Sequence, residues 1–462
     1  MRRYFVFGLV SMVLLLSSIN ATSVSVAFPV ITSRLDTSLV VAGWVLSVYQ
    51  LTTISAMPLA AKLSDVIGRK PTFMLSALLF TLGSVMCAVS SSIGFLIFSR
   101  VIQAAGGGGF LPTAAGIVSE EFPEARQRAI GLFTSVFPAG AIIGPNLGGW
   151  LVSSFGWESV FWFNVPLGAL AVFCSSWLLR GSTAKSGAGI DFLGAGMLVG
   201  FISAFMLSLT QLGNIRSGGS WVLIGLLLVL SVVLGFAFVR RERGRREAII
   251  SIEILWRRPF LSANLYNIIY GACAFGVFSL MPLFAMTVYG ASELESGLIL
   301  TPRSVGMMAA SLVISLYLTR WGYRRPILVG TAIIILSLVL LAAGYRGGTP
   351  GLAMSPLTWL VVVIALSGIG VGISAPAANN ACIELMPDKV ATITSLRGMF
   401  RQMGGALCIT VATLLMESLG DIALAFGITF ISLAALLLLA VPAVFRLPES
   451  PETKNSGVLG QK

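Results

Sequence analysis

The sequence of 462 residues contains no histidine. That absence removes histidine proton relays, histidine-bound metals and triads that use a histidine base. The five cysteines all fall in apolar segments without metal-ligand spacing, so we expect neither a disulfide framework nor a metal site. Charged residues make up only 10% of the chain, against roughly 25% in soluble proteins, which argues against a soluble fold.

Long apolar stretches are what the sequence has instead. Hydrophobic residues make up 56% of the chain, and its mean hydropathy is +0.94. Apolar runs of about 20 residues recur from end to end, which predicts an all-α integral protein of the cell membrane. The N-terminus imitates a secretory signal, but its apolar run continues to Pro29, so we interpret it as the first spanning helix.

We predict fourteen membrane spans, each bounded by polar or turn-forming residues. They lie at about 5–30, 40–61, 71–91, 94–118, 128–152, 159–179, 192–212, 219–239, 260–285, 295–318, 326–345, 357–384, 391–416 and 422–445.

The positions of the basic residues test this count. Of the 30 lysines and arginines, 23 fall in one set of alternating loops and termini and 3 in the other. This asymmetry places both termini in the cytoplasm. It also accounts for the net charge of +12 without a nucleic-acid partner. The other four basic residues lie inside spans: Arg100, Arg303, Arg397 and Arg401.

A weak internal repeat indicates a duplicated architecture. KLSDVIGRKP (62–71) and YLTRWGYRRP (317–326) both end in glycine, two basic residues and proline, apart from one intervening tyrosine in the second. Transporters commonly consist of duplicated halves with a central site between them. We therefore predict a six-helix bundle at 1–180, two additional helices with a basic loop at 181–258, a second six-helix bundle at 259–446 and a cytoplasmic tail at 447–462.

Two motifs suggest moving parts. In KLSDVIGRKP, Asp65 and Arg69 could form a charge clamp that pairs in one conformation, or the basic residues could simply set topology. In GAIIGPNLGGW (140–150), glycines recur at a spacing of four and form a smooth helix face, with a proline that can bend the helix. That face serves tight packing, gating or both. The residues concerned are Gly140, Gly144, Pro145, Gly148 and Gly149.

The stretch FSRVIQAAGGGGF (98–110) places a charge and four glycines in one apolar span. Arg100, Gln103 and Gly107 share one helical face, whereas Gly106 points elsewhere. We therefore expect a slim helix that approaches neighbours on several sides, with a polar stripe facing inward.

These motifs together resemble the major facilitator superfamily. KLSDVIGRK is similar to its loop signature, with Ala61 replacing a glycine, and SRVIQAAGGG is similar to its fourth-helix motif, with Ala104 replacing another. GAIIGPNLGG resembles the fifth-helix motif of exporters. WESVFWFNVPLG (157–168), with Glu158 in place of an arginine, and RQMGGA (401–406) resemble the fourteen-helix drug:proton antiporter branch.

The resemblance implies alternating access between two six-helix bundles and export of lipophilic compounds driven by inward proton flow. It also implies that Arg100 takes part in proton coupling beside an acidic residue of helix one. Here the sequence departs from the family, because NATSVSVAFP (20–29) has Asn20 at that position. Helix geometry puts Asn20 and Arg100 at comparable depth, and an asparagine carries no titratable proton. Glu121 and Glu384 are the remaining proton-carrying candidates, unless both are ordinary interfacial charges.

The arginines inside spans outnumber the acidic groups there. Arg397 and Arg401 share a face, and Arg401 matches the family's RQMGGA motif, where it could bind backbone carbonyls. With Asn20 and Arg303 they predict a substrate cavity of positive potential, which suits an anionic or zwitterionic amphiphile. The alternative is that Arg303 and Arg397 extend toward the membrane interfaces.

Two transport functions remain open. The first is proton-coupled export of drugs or metabolites by a monomer that needs no cofactor. The second is an exporter or flippase-like carrier of an anionic amphiphile or lipid. An intramembrane enzyme or sensor is weakly supported, because we find no nucleophile–base pair, and GGGGF is not followed by the Gly-Lys-Ser/Thr of a phosphate loop.

Overall fold

The computed structural model describes residues 1–181, 189, 191–213, 215, 219–245, 248–250, 255–344, 346 and 354–449. Their regular secondary structure is helical. The helices are α1 (Arg2–Arg34), α2 (Leu39–Val66), α3 (Arg69–Ala88), α4 (Ile93–Glu121), α5 (Arg126–Phe155), α6 (Ser159–Leu178), α7 (Phe192–Gly213), α8 (Trp221–Glu242), α9 (Arg258–Ser279), α10 (Met281–Tyr289), α11 (Glu293–Leu298), α12 (Leu300–Trp321), α13 (Arg324–Ala343), α14 (Pro356–Glu384), α15 (Val390–Leu419) and α16 (Ile422–Val444).

Within this described part, twelve helical stretches are long and apolar enough to cross a membrane. The protein is therefore a multi-pass membrane protein, as its composition predicts. Two further long helices are α2, with 28 residues, and α12, with 22. The predicted tail 447–462 is described only as far as Glu449. In the predicted basic loop, residues 246–247 and 251–254 lie outside the described part.

The helices pack in two groups. The first group contains α1–α6, in which α4 packs against α2 and α3, while α1 packs against α5 and α6. The second contains α9–α16, in which α14 packs against α12 and α13, and α9 packs against α15 and α16. The groups meet where α15 contacts α2 and α4, and where α5 contacts α12 and α14.

The four consecutive glycines let two helices approach α4 closely. A Cβ at Gly106 would overlap the backbone of α3 at Phe80, and one at Gly108 would lie 2.7 Å from the Thr53 carbonyl oxygen of α2. A Cβ at Gly109 would overlap the side chain of Ser76. The helix-weakening cost of glycine is thus offset by contacts on two sides, which is the slim helix that the sequence predicts.

The glycine face of α5 packs on α1. Gly140 meets Ser18, Gly144 meets Thr22 and Gly148 meets Ser23. The hydroxyl of Ser23 donates to the Gly144 carbonyl over 2.8 Å, a contact that the missing side chain permits.

The last glycine and the proline of this motif face elsewhere. A Cβ at Gly149 would meet nothing within 4 Å, and Pro145 is exposed. The helical segment Phe137–Phe155 continues through Pro145.

A π-helical turn at Ala272–Gly276 interrupts α9. Here α9 packs so closely on α15 that a Cβ at Gly271 would overlap the Arg401 backbone. From the other side, Gly404 meets the Ile268 carbonyl and Gly405 meets Phe275. The RQMGGA glycines therefore serve close packing against the irregular turn.

The helices α7 and α8 form a pair with each other. α7 also contacts α2 and α15, and so reaches both groups, whereas only 17% of the most apolar part of α8 is buried. Asp191 joins their ends by accepting hydrogen bonds from Arg241 over 2.6 and 2.8 Å. These hydrogen bonds lower the pKa of Asp191 to about 2.

Adjacent glycines provide a test of the α1–α5 contact. Gly148→Ala should lower the melting temperature of the purified protein, because its Cβ would lie 2.8 Å from the Ser23 Cα and overpacking costs about 1–3 kcal/mol. Gly149→Ala is the matched control, and we expect it to keep or raise the melting temperature because alanine is the better helix former. Equal effects of both substitutions would show that α5 does not depend on this close approach.

Candidate functional site

A cavity of about 440 Å³ lies between the two groups of helices. Four helices of each group line it: α1, α2, α4 and α5 from the first, and α9, α12, α14 and α15 from the second. Ser25, Gln50 and Ser279 line the cavity and are exposed. The cavity therefore opens away from the end of the molecule that carries the N-terminus and Glu449, the last described residue, and we call that end the terminal face.

Two hydrogen bonds show which parts of the chain lie at the terminal face. Arg2 donates to the Leu178 carbonyl over 2.6 Å, which places the N-terminus beside the end of α6. Arg324 donates to the Leu447 carbonyl over 3.1 Å, which places the end of the described chain beside the start of α13.

Hydrogen bonds join the two groups at the terminal face. Arg126 at the start of α5 pairs with Glu384 at the end of α14 over 2.7 Å, and Gln127 donates to the same carboxylate over 3.2 Å. Asn380 donates to the Gln127 carbonyl, also over 3.2 Å. The Glu384 side chain is only 9% exposed, so this ion pair is weakly screened by solvent.

An apolar segment completes this closure. Ile249 and Ile250 are 4% and 3% exposed, and they share a small pocket with Asp65 of α2 and Thr392 of α15. Lys62 holds the segment by donating to the Ala248 carbonyl over 2.9 Å. We call residues 248–250 the plug segment, because its buried apolar side chains lie at the seam between the two groups.

Arg100 lies on the first group's wall of the cavity and is 1% exposed. Its Nε donates to the Val45 carbonyl over 3.1 Å, and its Nη1 donates to Gln103 Oε1 over 2.5 Å. The ring of Tyr49 lies 3.9 Å from the guanidinium carbon, at cation–π distance. Backbone, amide and aromatic ring thus satisfy this charge together.

Gln103 connects Arg100 to Asn20. Its Nε2 donates to Asn20 Oδ1 over 3.3 Å and to Ser84 over 2.8 Å. Asn164 of α6 donates to the same Asn20 oxygen over 2.9 Å. Asn20 therefore accepts from two donors at the position where the sequence resemblance implies an acidic residue.

Asp65 and Arg69 each contact a residue outside their own motif. Arg69 forms an ion pair with Glu120 at the end of α4. Asp65 accepts from the Thr392 hydroxyl over 3.3 Å, and this contact crosses between the two groups. The motif therefore takes part in the closed terminal face, whereas the clamp between Asp65 and Arg69 stays a prediction.

The two carboxylates proposed as proton carriers differ in position. Glu121 pairs with Arg2 over 2.7 Å, so its contact stays within the first group. Glu384 joins the two groups through Arg126 and accepts from Tyr323 over 3.4 Å. Glu384 is therefore the candidate whose protonation state bears on how the groups meet.

The arginines of the second group take different positions. Arg397 and Arg401 line the cavity. Arg397 is 6% exposed and donates to Asn379 Oδ1 over 3.2 Å, so it does not extend to the interface. Arg401 lies over the ring of Phe275 at 4.8 Å.

Arg303 lies behind this wall, although the sequence predicts it in the cavity. It donates to the Ala274 carbonyl of the π turn over 2.6 Å. The Phe278 ring lies 4.2 Å from its guanidinium carbon.

Sequence reasoning missed several residues of this site. Tyr49 and Asn379 contact arginines from other helices, and an aromatic or amide in an apolar run carries no signal for such a partner. Asn164 did have a signal, because it stands in the quoted motif WESVFWFNVPLG, but its partner Asn20 could not be identified from the sequence.

Comparison with known proteins identifies the family. The family model described as Major Facilitator Superfamily matches residues 10–191 and 269–461. The chain belongs to the major facilitator superfamily. The two matched stretches cover the two groups of helices and omit 192–268, which contains α7 and α8.

Curated relatives in this superfamily include drug-resistance proteins. Multidrug resistance protein 3 of Bacillus subtilis is 32% identical over 413 residues, which cover 88% of this chain and 78% of the relative. The Methylenomycin A resistance protein of Streptomyces coelicolor is 25% identical over 450 residues, which cover 96% of this chain and 91% of the relative. These bacterial superfamily relatives indicate a cell membrane.

A solved structure shares the fold of this superfamily member. The crystal structure of the human organic anion transporter MFSD10 (TETRAN) aligns with a TM-score of 0.68 at 16% identity. The alignment covers 96% of this chain and 99% of that protein. This likeness supports the superfamily fold across the whole chain.

If the Arg126–Glu384 ion pair holds the two groups together at the terminal face, its removal should favour separation of the groups. Arg126→Gln removes a charge-assisted hydrogen bond worth about 1.5–3 kcal/mol, so conformers with separated groups should become about tenfold or more populated. Electron paramagnetic resonance between spin labels at Glu124→Cys and Asp388→Cys, with the native cysteines replaced, would measure the separation.

The matched control is Arg324→Gln, which removes an exposed ion pair to Glu449 within the second group. It should leave the label-to-label distance distribution unchanged. If Arg126→Gln also leaves that distribution unchanged, the ion pair does not hold the two groups together.

Proposed function

We propose that this protein is a secondary active exporter that moves lipophilic drugs or metabolites by alternating access, driven by protons. The observation that carries the proposal is a cavity between two helix groups that is sealed on one side by contacts between those groups. Such a seal can break and reform on the other side without loss of either group's core.

The cavity has the size and character of a drug site. Its volume of about 440 Å³ falls within the range of roughly 300–1,000 Å³ typical of small-molecule sites. Phe110, Leu111 and Phe137 supply apolar contacts, while Gln50 and Gln402 supply polar ones. The names of the curated relatives favour drug efflux over the lipid-carrier alternative.

The contacts within and between groups support a rocking motion. Inside each group, glycines allow close helix approach, as between α1 and α5 and between α9 and α15. Between the groups, the terminal face combines polar contacts such as Arg126–Glu384 and Thr392–Asp65 with the buried plug segment. Rigid groups joined partly by such polar contacts are suited to move as bodies.

We further infer fourteen spans, with α2 and α12 added to the twelve candidate stretches. In this arrangement 1–180 and 259–446 are the six-helix bundles, and 181–258 holds two added helices. The family match supports this division because it omits 192–268. The basic residues favour a cytoplasmic terminal face, so the conformation described here opens outward. We expect a monomer.

The proton site is the finer part of the proposal. Asn20 replaces the acidic residue of helix one, so the proton requires another carboxylate. We assign it to Glu384, because neutralising this carboxylate removes the charge that attracts Arg126 across the seam. Proton binding then favours opening at the terminal face, which couples proton movement to the conformational change.

Transport in liposomes tests the proposal. Purified protein should move a lipophilic fluorescent dye when a pH gradient is imposed, and collapse of the gradient by an ionophore should stop the accumulation. Glu384→Gln should abolish the dependence on the gradient. Glu121→Gln, which breaks an ion pair inside the first group, should retain it. Dye accumulation that ignores the gradient would contradict proton coupling.

Asn20→Asp tests whether helix one still bears on coupling. An aspartate there would lie within reach of Gln103 and Asn164 and near Arg100, and it would add a titratable group. We expect a new ionisation in the pH profile of transport. Asn146→Asp, at an exposed position of α5, should leave the profile unchanged. Identical profiles for the wild type and Asn20→Asp would separate helix one from the proton pathway.

A further inference from the structure

The two walls of the cavity satisfy their arginines differently. On the first group's wall, Arg100 donates to Val45 and Gln103 and lies against Tyr49. On the second group's wall, Arg397 donates to Asn379 Oδ1 over 3.2 Å and to the Ala375 carbonyl over 3.5 Å, but its Nε finds no acceptor among the described residues. The second wall therefore presents positive charge that the protein itself leaves partly unmatched.

Buried donors without an acceptor gather on this wall. They are Nε of Arg397, Nε of Arg401 and Nδ2 of Asn379, and all three side chains line the cavity. Arg397 and Asn379 are 6% and 2% exposed, so bulk water does not satisfy them. Among the described residues that line the cavity there is no aspartate or glutamate. Burial of unmatched donors is costly, and a group that only accepts hydrogen bonds would remove that cost.

The positive charges also converge. Arg397 and Arg401 lie one helical turn apart on α15 and therefore face the same side. Arg303 lies behind this wall, where its hydrogen bond to the Ala274 carbonyl over 2.6 Å holds it in place.

We propose that Arg397, Arg401 and Asn379 form an anion subsite that binds the acidic group of a lipophilic substrate. The chemistry of the donors fits a carboxylate, sulfonate or phosphate, since each offers only acceptors in its ionised form. The apolar body of the substrate then extends toward Phe110 and Leu111 on the opposite wall. This inference rests on the proposed function and names the substrate class for that cavity.

A matched pair of probes tests the subsite. Binding of 11-(dansylamino)undecanoic acid and of its methyl ester to the protein in phosphatidylcholine nanodiscs would be followed by fluorescence anisotropy, with empty nanodiscs as background. We expect the acid to bind about tenfold or more tightly than the ester, because it gains a charge-assisted contact. Equal binding of acid and ester would overturn the subsite and leave lipophilic export untouched.

Substitutions locate the effect. Arg397→Gln and Arg401→Gln should each weaken binding of the acid about tenfold and leave binding of the ester unchanged, whereas Arg397→Lys should retain part of the preference. Arg320→Gln is the control, since this arginine is exposed at the end of α12. Unchanged ester binding also shows that each variant is folded. If the acid keeps its full affinity in both glutamine variants, these arginines do not hold it.

Two further measurements separate the remaining explanations. Competition with sodium sulfate distinguishes an acidic group on a lipophile from a free inorganic anion, and sulfate that displaces the acid at equal concentration would overturn the proposal. Transport of the methyl ester reports on the proposed export function alone. An ester that binds but is never transported would contradict export and leave the subsite standing.

Discussion

Burial of the Arg100 guanidinium is the constraint on which the first group of helices depends. An arginine inside a membrane bundle needs partners, and here α1, α2, α3, α4 and α6 all contribute to the network around it. Val45 and Tyr49 contact the charge directly, while Gln103 passes the hydrogen bonding on to Asn20 and Ser84. The glycines that follow Arg100 bring α2 and α3 close enough for this to happen. The glycines of α4 therefore help to supply the partners that the Arg100 charge requires.

The two walls of the cavity differ in how their arginines are bound. On the first wall, Arg100 is held by a carbonyl, an amide and an aromatic ring, whereas the second wall carries buried donors without an acceptor on Arg397, Arg401 and Asn379. The groups meet at the terminal face through contacts that involve ionisable residues, notably Glu384 and Asp65. In the proposed mechanism, substrate recognition and conformational change depend on different residues, which would let the cavity chemistry vary without disturbing the junction.

The sequence predicts the fold better than the contacts of the site. Apolar runs indicate the helices directly, and the spacing of Gly140, Gly144 and Gly148 predicts a packing face because helical periodicity is local. Arg303 marks the limit of such prediction. Its hydrogen-bond partner is the Ala274 carbonyl, which lies in a π turn. The change from α to π geometry depends on packing against α15 rather than on local sequence. Glu120 as the partner of Arg69 is likewise set by how helices meet.

The plug segment has a consequence for the membrane as a whole. A protein that holds a polar cavity open to one side of an energised bilayer places water close to the other side. Ile249 and Ile250 place buried hydrocarbon at that seam, and hydrated ions do not enter hydrocarbon. In the conformation described here, the plug segment therefore opposes the passage of ions between the two groups of helices.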